Sequence, residues 1–322
     1  MTEFEYQLDN FMLYCDSKNL SIKTLASYEQ TLKLFQIYLK NEHNINDPKK
    51  VKSRHIRQYI KHLRERGKYT VVANENSIKI NYPDRRNDLG EKLSDSTIAN
   101  YLRNIMVFFN FLYREREIHD NPVENIKNIK PTRKQKEKLE ITELKKLFGA
   151  MDTTVFHEYR LFIQSRLTYD TGIRANESCE LITEDVDFKF NSLLIRNPKN
   201  NKERFVYFSR KMSRELKRWL KYRDRFSDSD YLFPTIRGTK QDIRNFNRSL
   251  KIAGKRVGLD DIHVHMLRNS FAKSYIMQGG DWSSLSRILG HSSSEVTQKH
   301  YLDFSEDEVR RQHNKFSPLD EL

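Results

Sequence analysis

The sequence predicts a mainly α protein with a small β-sheet, an α+β chain of two domains, and three observations carry that expectation. Its 322 residues exceed one typical domain and suit two, each able to bury its own core. Apolar residues recur at three- and four-residue spacing through most of the chain, the period of helices. Strand-like runs are short and few, one group between residues 186 and 208 and a pair between 69 and 82.

Taken in order, residues 4 to 15 have a helical pattern, and Ser21 reads as the N-cap of a second helix with Leu25, Tyr28, Leu32, Phe35 and Leu39 on one face. Asp47-Pro48 closes that unit. A third helix carries Ile56, Tyr59, Ile60 and Leu63, and a fourth begins at Ser94 to Ser96 with Ile98, Leu102, Ile105, Phe109 and Leu112 on its buried stripe. Between them, Tyr69 to Val72 and Ile78 to Tyr82 flank the polar Asn74 to Ser77, which predicts an inserted β-hairpin within about 67–93. Residues 1–130 therefore form a helical bundle with an insertion.

The run from Asn125 to Lys138 holds Pro131, many cations and few apolar side chains, and its segment 131–138 is expected to be a basic linker. Beyond it, residues 139–322 form the second domain. Thr142 is expected to cap a helix reaching Met151, and another runs from Glu158 to Tyr169. Strands follow at 186–190, 192–196 and 204–208, with Asn197-Pro-Lys-Asn-Asn201 as the turn between the last two. Helices resume at 211–225, 240–257, 266–278 and 282–289, and a short polar helix is expected after residue 303, ending in an apolar patch of Phe316 and Leu319.

Lys and Arg outnumber Asp and Glu by 58 to 44, a net charge of +14. Such an excess suits a polyanion, nucleic acid or an anionic membrane surface, because basic side chains displace counterions condensed on phosphates. The two cysteines, Cys15 and Cys179, have no metal-type spacing, which points to a reducing compartment without structural zinc. The longest apolar run, Ile105 to Tyr113, falls well short of the roughly 20 residues that span a bilayer. The acidic start MTEFEYQLD lacks the basic region of a signal peptide, so a soluble protein with no membrane partner is expected.

Several polar groups stand where chemistry could use them. Gly172 reads as a turn residue before a helix, placing the Arg174 guanidinium near a helix N-terminus, and both features favour an anion. Lys199 and Lys202 lie in the strand-connecting turn, as solvated charges or as groups that reach a phosphate. His265 and Arg268, spaced i, i+3, share a helix face, a proton carrier beside a bidentate donor fork. The bland alternative for His263 and His265 is a hydrogen-bonded core imidazole. His291 follows the helix stop Leu289-Gly290, and Tyr301 lies ten positions on; its phenol becomes a nucleophile only with help against a pKa of about 10.

Together and in this order, TGIRANE around Arg174, NPKNNKERFVYF with Lys199, HMLRNSFA with His265 and Arg268, LGHSS with His291 and TQKHYL with Tyr301 resemble the tyrosine recombinase family, also called the phage integrase family. The likeness covers the whole chain and is nearest to the Xer-like and mobile-element integrases. It implies an N-terminal helical, SAM-like core-binding domain and a C-terminal tyrosine recombinase catalytic domain. It further implies a site-specific recombinase that needs no cofactor, metal or ATP, in keeping with the lack of a Walker motif or a carboxylate cluster suited to magnesium.

Carried over residue by residue, the resemblance implies that Arg174 and Arg268 clamp the scissile phosphate and that Lys199 protonates the leaving 5′ oxygen. His265 then takes the proton of Tyr301, His291 bonds a phosphate oxygen, and Tyr301 attacks phosphorus to form a 3′-phosphotyrosyl link. Glu177 supports the site, and Lys202 is the other candidate for the lysine's role. The implied partners are double-stranded DNA with a specific recombination site and further copies of the chain in a synaptic tetramer, with room for an accessory factor that sets direction. A cytoplasmic, nucleoid-associated location is implied too, and the C-terminal tail is expected to dock on a neighbouring subunit. Two departures stand out: Asn269 occupies a position where many relatives carry a second histidine, and the His291 to Tyr301 interval is one residue longer than in some of them. The rival readings are a non-cleaving DNA-binding or architectural protein on the same scaffold and a type IB topoisomerase-like enzyme. All six catalytic positions are filled, which speaks against the first.

Overall fold

A computed structural model describes residues 1–73, 78–79, 82–130, 138–196, 203–291, 293–301 and 306–316, and of residues 299–301 and 312 the backbone alone. Within the chain, residues 1–133 and 134–322 separate as two units.

The first unit is built on α1 (Glu3–Ser17), α2 (Ile22–His43), α3 (Ser53–Glu65) and α4 (Asp95–Arg114). Each start is locally encoded. Thr2 Oγ1 accepts the Glu5 N–H at 3.2 Å while the Glu5 carboxylate accepts the Thr2 N–H at 2.7 Å, a reciprocal cap that satisfies two otherwise orphaned donors. Ser21 and Ser94 accept the N–H groups of Thr24 and Thr97, as their sequence positions predict. The expected stripes converge on an aromatic core: Phe4 and Phe108 rings lie 5.5 Å apart, Phe11 and Phe108 5.4 Å, Phe35 and Tyr59 4.9 Å. Burying each such ring contributes on the order of 2–3 kcal/mol, so packing and not propensity holds these helices.

A histidine group sits against this core. His55 is buried with its ring 4.7 Å from that of His43, and burial, His43, Arg54 and Lys52 all depress its pKa. The pKa of His62 is lowered by burial and Arg66, which outweigh Glu42 and Glu65. Both imidazoles bind protons more weakly folded than unfolded, where the value is near 6.5, so stability is complete above that pH and declines as pH falls below it. Hydrogen exchange corrected for its intrinsic rate should report lower amide protection in α3 at about pH 5 than at about pH 7, with no such change in α10 of the second unit (Val264–Met277).

The expected hairpin at 67–93 is not formed among the described residues. Its base is pinched by a single antiparallel bridge, Gly67 to Lys92, with the Lys68 N–H donating to Glu91 O at 2.7 Å and the Gly90 N–H to Lys68 O at 3.0 Å. Above that bridge the chain turns. Tyr69 and Tyr82 both have left-handed φ, 61° and 42°, which breaks the two extended runs, and Ile78 and Lys79 are helical. The Arg86 guanidinium stacks 3.9 Å from the Tyr69 ring and holds the turned conformation. An isolated two-stranded ribbon has little stability of its own, so local strand propensity lost to these contacts. The expected turn at Asn74 to Ser77 lies outside the described residues. So does the linker expected over 131–138, except Lys138.

The second unit contains α5 (Ile141–Gly149), α6 (Phe156–Thr171), α7 (Ala175–Glu180), β1 (Val186–Asp187), β2 (Ser192–Ile195), β3 (Arg204–Tyr207), α8 (Arg210–Arg223), α9 (Ile243–Lys255), α10, α11 (Trp282–Leu289), α12 (Ser294–Tyr301) and α13 (Glu306–Lys315). The strands pair antiparallel in the order β1-β2-β3, with Leu193 opposite Val206. Two expectations shift. Glu140, not Thr142, precedes the first helix, its N–H donating to the Glu143 carboxylate at 2.8 Å. β1 stops at Asp187, where residue 190 was expected, because the Asp187 carboxylate accepts the Lys189 and Phe190 N–H groups and turns the chain.

α6 packs on both α8 and α10. Trp219 of α8 is fully buried, with its indole N–H donating to Leu232 O at 2.8 Å. The C-terminal helix α13 rests on its own unit: the buried Glu308 carboxylate pairs with Lys273 at 2.7 Å and with Lys138. No helix among the described residues is long and apolar enough to cross a membrane.

Candidate active site

The end of α6 sets the site. Gly172 closes that helix with φ 68°, and a Cβ there would fall 2.4 Å from the Phe271 ring, so only glycine fits. The turn delivers Arg174 to the N-cap of α7, near a helix N-terminus as the sequence predicts. One turn on, Glu177 is buried between two cations. Its carboxylate accepts the Arg174 N–H at 2.8 Å and Arg174 Nη1 at 2.9 Å, and from the other side Arg204 Nη1 and Nη2 at 2.9 and 2.8 Å. Burial pushes this carboxyl up, but the Arg204 fork and then Arg174 overcome it and hold the pKa at about 2. Glu177 is thus a permanent anion that spaces two guanidinium groups.

The same arginines cap a helix. α11 ends at Gly290, left-handed with φ 62°, and its last carbonyls have no partners within the helix. Arg204 Nε donates to Ile288 O at 3.2 Å, Arg268 Nη2 to Leu289 O at 2.8 Å, and Arg174 Nη2 to Gly290 O at 3.0 Å. Arg268 Nη1 also reaches Gly172 O at 2.6 Å. Three cations therefore meet at the negative end of a helix dipole, which lowers the cost of holding them together.

Arg268 corrects an expectation. The sequence pairs it with His265 on one helix face, yet its side chain is buried, with 2% of the residue exposed. The reason is the set of backbone acceptors: a guanidinium enters a core when oxygens await it. His265, one turn earlier on α10, stands exposed, while His263 precedes the helix as its N-cap and is also exposed, so neither is a core imidazole.

His291 follows Gly290 as expected. Its Nε2 lies 3.1 Å from Arg268 Nη2 and its Nδ1 2.8 Å from Thr297 Oγ1. Arginine can only donate, so Nε2 accepts and Nδ1 carries the proton: a neutral imidazole oriented by Thr297, which is fully buried in α12. α12 packs against α10 and α11 and ends at Tyr301, whose backbone alone is described. The two turn lysines, Lys199 and Lys202, lie outside the described residues.

The structure thus gathers Arg174, Glu177, Arg268 and His291, and adds Arg204 and Thr297, which sequence reading missed. A signal for Arg204 was present. Positions 204, 206 and 208 share one face of a strand, Val206 and Phe208 are buried, and a cation on that face needs a carboxylate. Three guanidinium groups against one carboxylate leave a local charge of about +2, suited to an oxyanion. Arg174 commits two of its N–H donors to partners among the described residues, so others remain for a ligand.

Residues 137–308 match the phage integrase family, and residues 8–79 the phage integrase N-terminal SAM-like domain. The chain belongs to the phage integrase family. Similar curated members are the tyrosine recombinase XerC of Thermodesulfovibrio yellowstonii, 29% identical over 307 residues with 92% of each chain covered, and XerC of Oceanobacillus iheyensis, 26% identical with 99% of this chain and 98% of that one covered. Among solved structures, the Tn1549 transposon integrase in complex with transposon right end DNA has a TM-score of 0.74 at 15% identity, covering 98% of this chain and all of the other. A lambda integrase dimer bound to a COC′ core site has a TM-score of 0.70 at 17% identity, covering 95% and 97%. These likenesses establish the fold of this family member from end to end.

Proposed function

We propose that this chain is a site-specific DNA recombinase that cuts and rejoins strands through a 3′-phosphotyrosyl intermediate. The observation that carries the reading is the convergence of Arg174, Arg204 and Arg268 at the end of α11, beside the helix that ends in Tyr301. The Tyr301 Oη attacks the scissile phosphorus, the bond from phosphorus to the 5′ oxygen breaks, and the leaving oxygen takes a proton from Lys199, with Lys202 the alternative donor. His265, exposed one turn before Arg268 on α10, accepts the phenolic proton. Arg174 and Arg268 stabilise the extra charge on the pentavalent phosphorus, and His291, whose two ring nitrogens face Arg268 and Thr297, orients the Arg268 guanidinium in place of the phosphate hydrogen bond that the resemblance implies. The phosphodiester energy is kept in the protein link, so attack by a 5′-hydroxyl reverses the sequence on a new strand without ATP.

Duplex DNA with a specific site is the substrate, and a tetramer of the chain on two duplexes is the assembly. Support for that assembly comes from a related fold: a lambda integrase tetramer bound to a Holliday junction aligns with 94% of this chain. A further factor that sets direction is compatible with the reading, as is a cytoplasmic, nucleoid-associated location.

The test is a nicked suicide duplex carrying the recombination site. The wild type should form a denaturant-resistant adduct and Tyr301→Phe should form none, since removing a nucleophile typically costs at least about 10⁴-fold in rate. No adduct from the wild type on its own site would sink the reading. Adducts on any duplex together with relaxation of supercoiled plasmid would favour the topoisomerase-like alternative.

A further inference from the structure

Helix α8 is not part of the site above, yet it is the most basic element of the chain. Its fourteen residues, RKMSRELKRWLKYR, hold seven cations and one anion, a net +6 of the +14 in the whole protein. Arg210, Lys211, Arg214, Lys217, Arg218 and Lys221 are all exposed, while Met212, Leu216 and Trp219 on the opposite face are buried. The sole acid, Glu215, is held by Arg166 in a bidentate pair and neutralises none of them. Among the described residues, none of the six makes an ion pair.

That arrangement is costly for a helix that is merely solvated. Arg210 with Arg214, Arg214 with Arg218, and Lys217 with Lys221 are like-charge i, i+4 pairs, each destabilising by about 0.2–0.5 kcal/mol. A polyanion laid along the stripe reverses the sign of every pair.

The stripe has a direction. α8 runs antiparallel to α6: at one end the Ser209 N–H donates to Asp170 at 2.7 Å, and at the other the Tyr222 hydroxyl donates to Thr154 O at 2.9 Å. Because α6 ends at the turn that presents Arg174, the stripe begins beside the candidate active site and leads away from it. From Arg210 to Lys221 it spans about 17 Å, the axial rise of about five base pairs.

We propose that the exposed face of α8 binds the phosphate backbone of duplex DNA outside the segment held at the active site. The inference rests on the recombinase reading for its partner and on the charge, exposure and direction of α8 for its place. An anionic membrane is the poorer match, because the apolar side that would enter a bilayer is already occupied by the core.

A Lys217→Gln/Arg218→Gln/Lys221→Gln variant, a control with Lys145→Gln/Lys146→Gln/Lys189→Gln, and the wild type are compared for binding a 60-base-pair duplex of random sequence over a range of salt. Each lost phosphate contact removes about 0.9 from the slope of log affinity against log salt. The α8 variant should lose roughly two to three from that slope, the control less than about one, and Lys217→Arg/Lys221→Arg should keep the wild-type value. Unchanged melting temperatures establish that all variants are folded. An unchanged slope in the α8 variant, an equal loss in the control, or loss of binding to phosphatidylserine vesicles in place of DNA overturns the proposal. The suicide-duplex adduct is scored separately: a normal adduct with an unchanged slope defeats the α8 proposal alone, and no wild-type adduct defeats the recombinase reading.

Discussion

Arg268→Ala should abolish cleavage and loosen the catalytic unit together. The side chain donates to Gly172 O, Leu289 O and His291, so its removal leaves two buried carbonyls and an imidazole nitrogen without that donor. Stranded buried acceptors cost about 1–3 kcal/mol each, and the cavity adds to that, so a loss on the order of 4 kcal/mol is expected in denaturant melts followed by Trp219 and Trp282 fluorescence. Loss of a preorganised cation should lower the rate of adduct formation by about 10³-fold or more at saturating protein. Arg268→Lys separates the two effects. A lysine fills most of the space but cannot fork between acceptors, so much of the stability should return while cleavage stays low. Wild-type cleavage by Arg268→Lys would show that the guanidinium geometry is not used.

Glu177→Gln should be nearly as damaging although the residue touches no substrate in the proposed mechanism. Its carboxylate separates Arg174 from Arg204, and an amide offers one acceptor oxygen where four donors now converge. Removing one member of a buried charge cluster typically costs about 3–5 kcal/mol. The same group predicts an acid limit. With a pKa near 4.5 unfolded and about 2 folded, Glu177 contributes stability that is complete above about pH 4.5 and is lost as the pH falls through 2, in all on the order of 3 kcal/mol. Glu177→Gln should therefore flatten the acid side of the stability curve for the second unit between those limits. A parallel shift of the whole curve with the slope intact would assign the acid dependence to other carboxylates.

The bundle in residues 1–133 was legible because each helix carries its own signals. Ser21 and Ser94 mark starts, and Leu32, Phe35, Leu39, Ile98, Leu102, Ile105 and Phe109 recur with helical period and are all buried. The inserted segment was misread because Val71, Val72 and Ile78 have strand propensity, whereas Tyr69 and Tyr82 adopt left-handed backbone that sequence does not announce in a tyrosine. Thr142 was a reasonable cap on composition alone, but the choice between it and Glu140 depends on where the preceding chain enters the helix.

For the site, residue types and order were enough to place Arg174 at a helix start and His291 after a helix stop, since turns and caps are local, while Glu177 became a candidate only through the family resemblance. What local rules could not supply were distances across the chain. Arg204 meets Glu177 and Ile288 from 27 and 84 positions away, and Arg268 finds Gly172 at a separation of 96. By itself, the sequence determined most of the helices, caps such as Ser21 and Ser94, the excess of positive charge and the family motifs, all of which follow from neighbours in the chain. Only the tertiary structure decided that three arginines share the carbonyl end of one helix, that Arg268 is buried and not displayed, and that the cations of α8 form one outward face. Those features depend on which backbone acceptors and carboxylates the fold brings within hydrogen-bond reach, and that is set by packing between segments far apart in sequence.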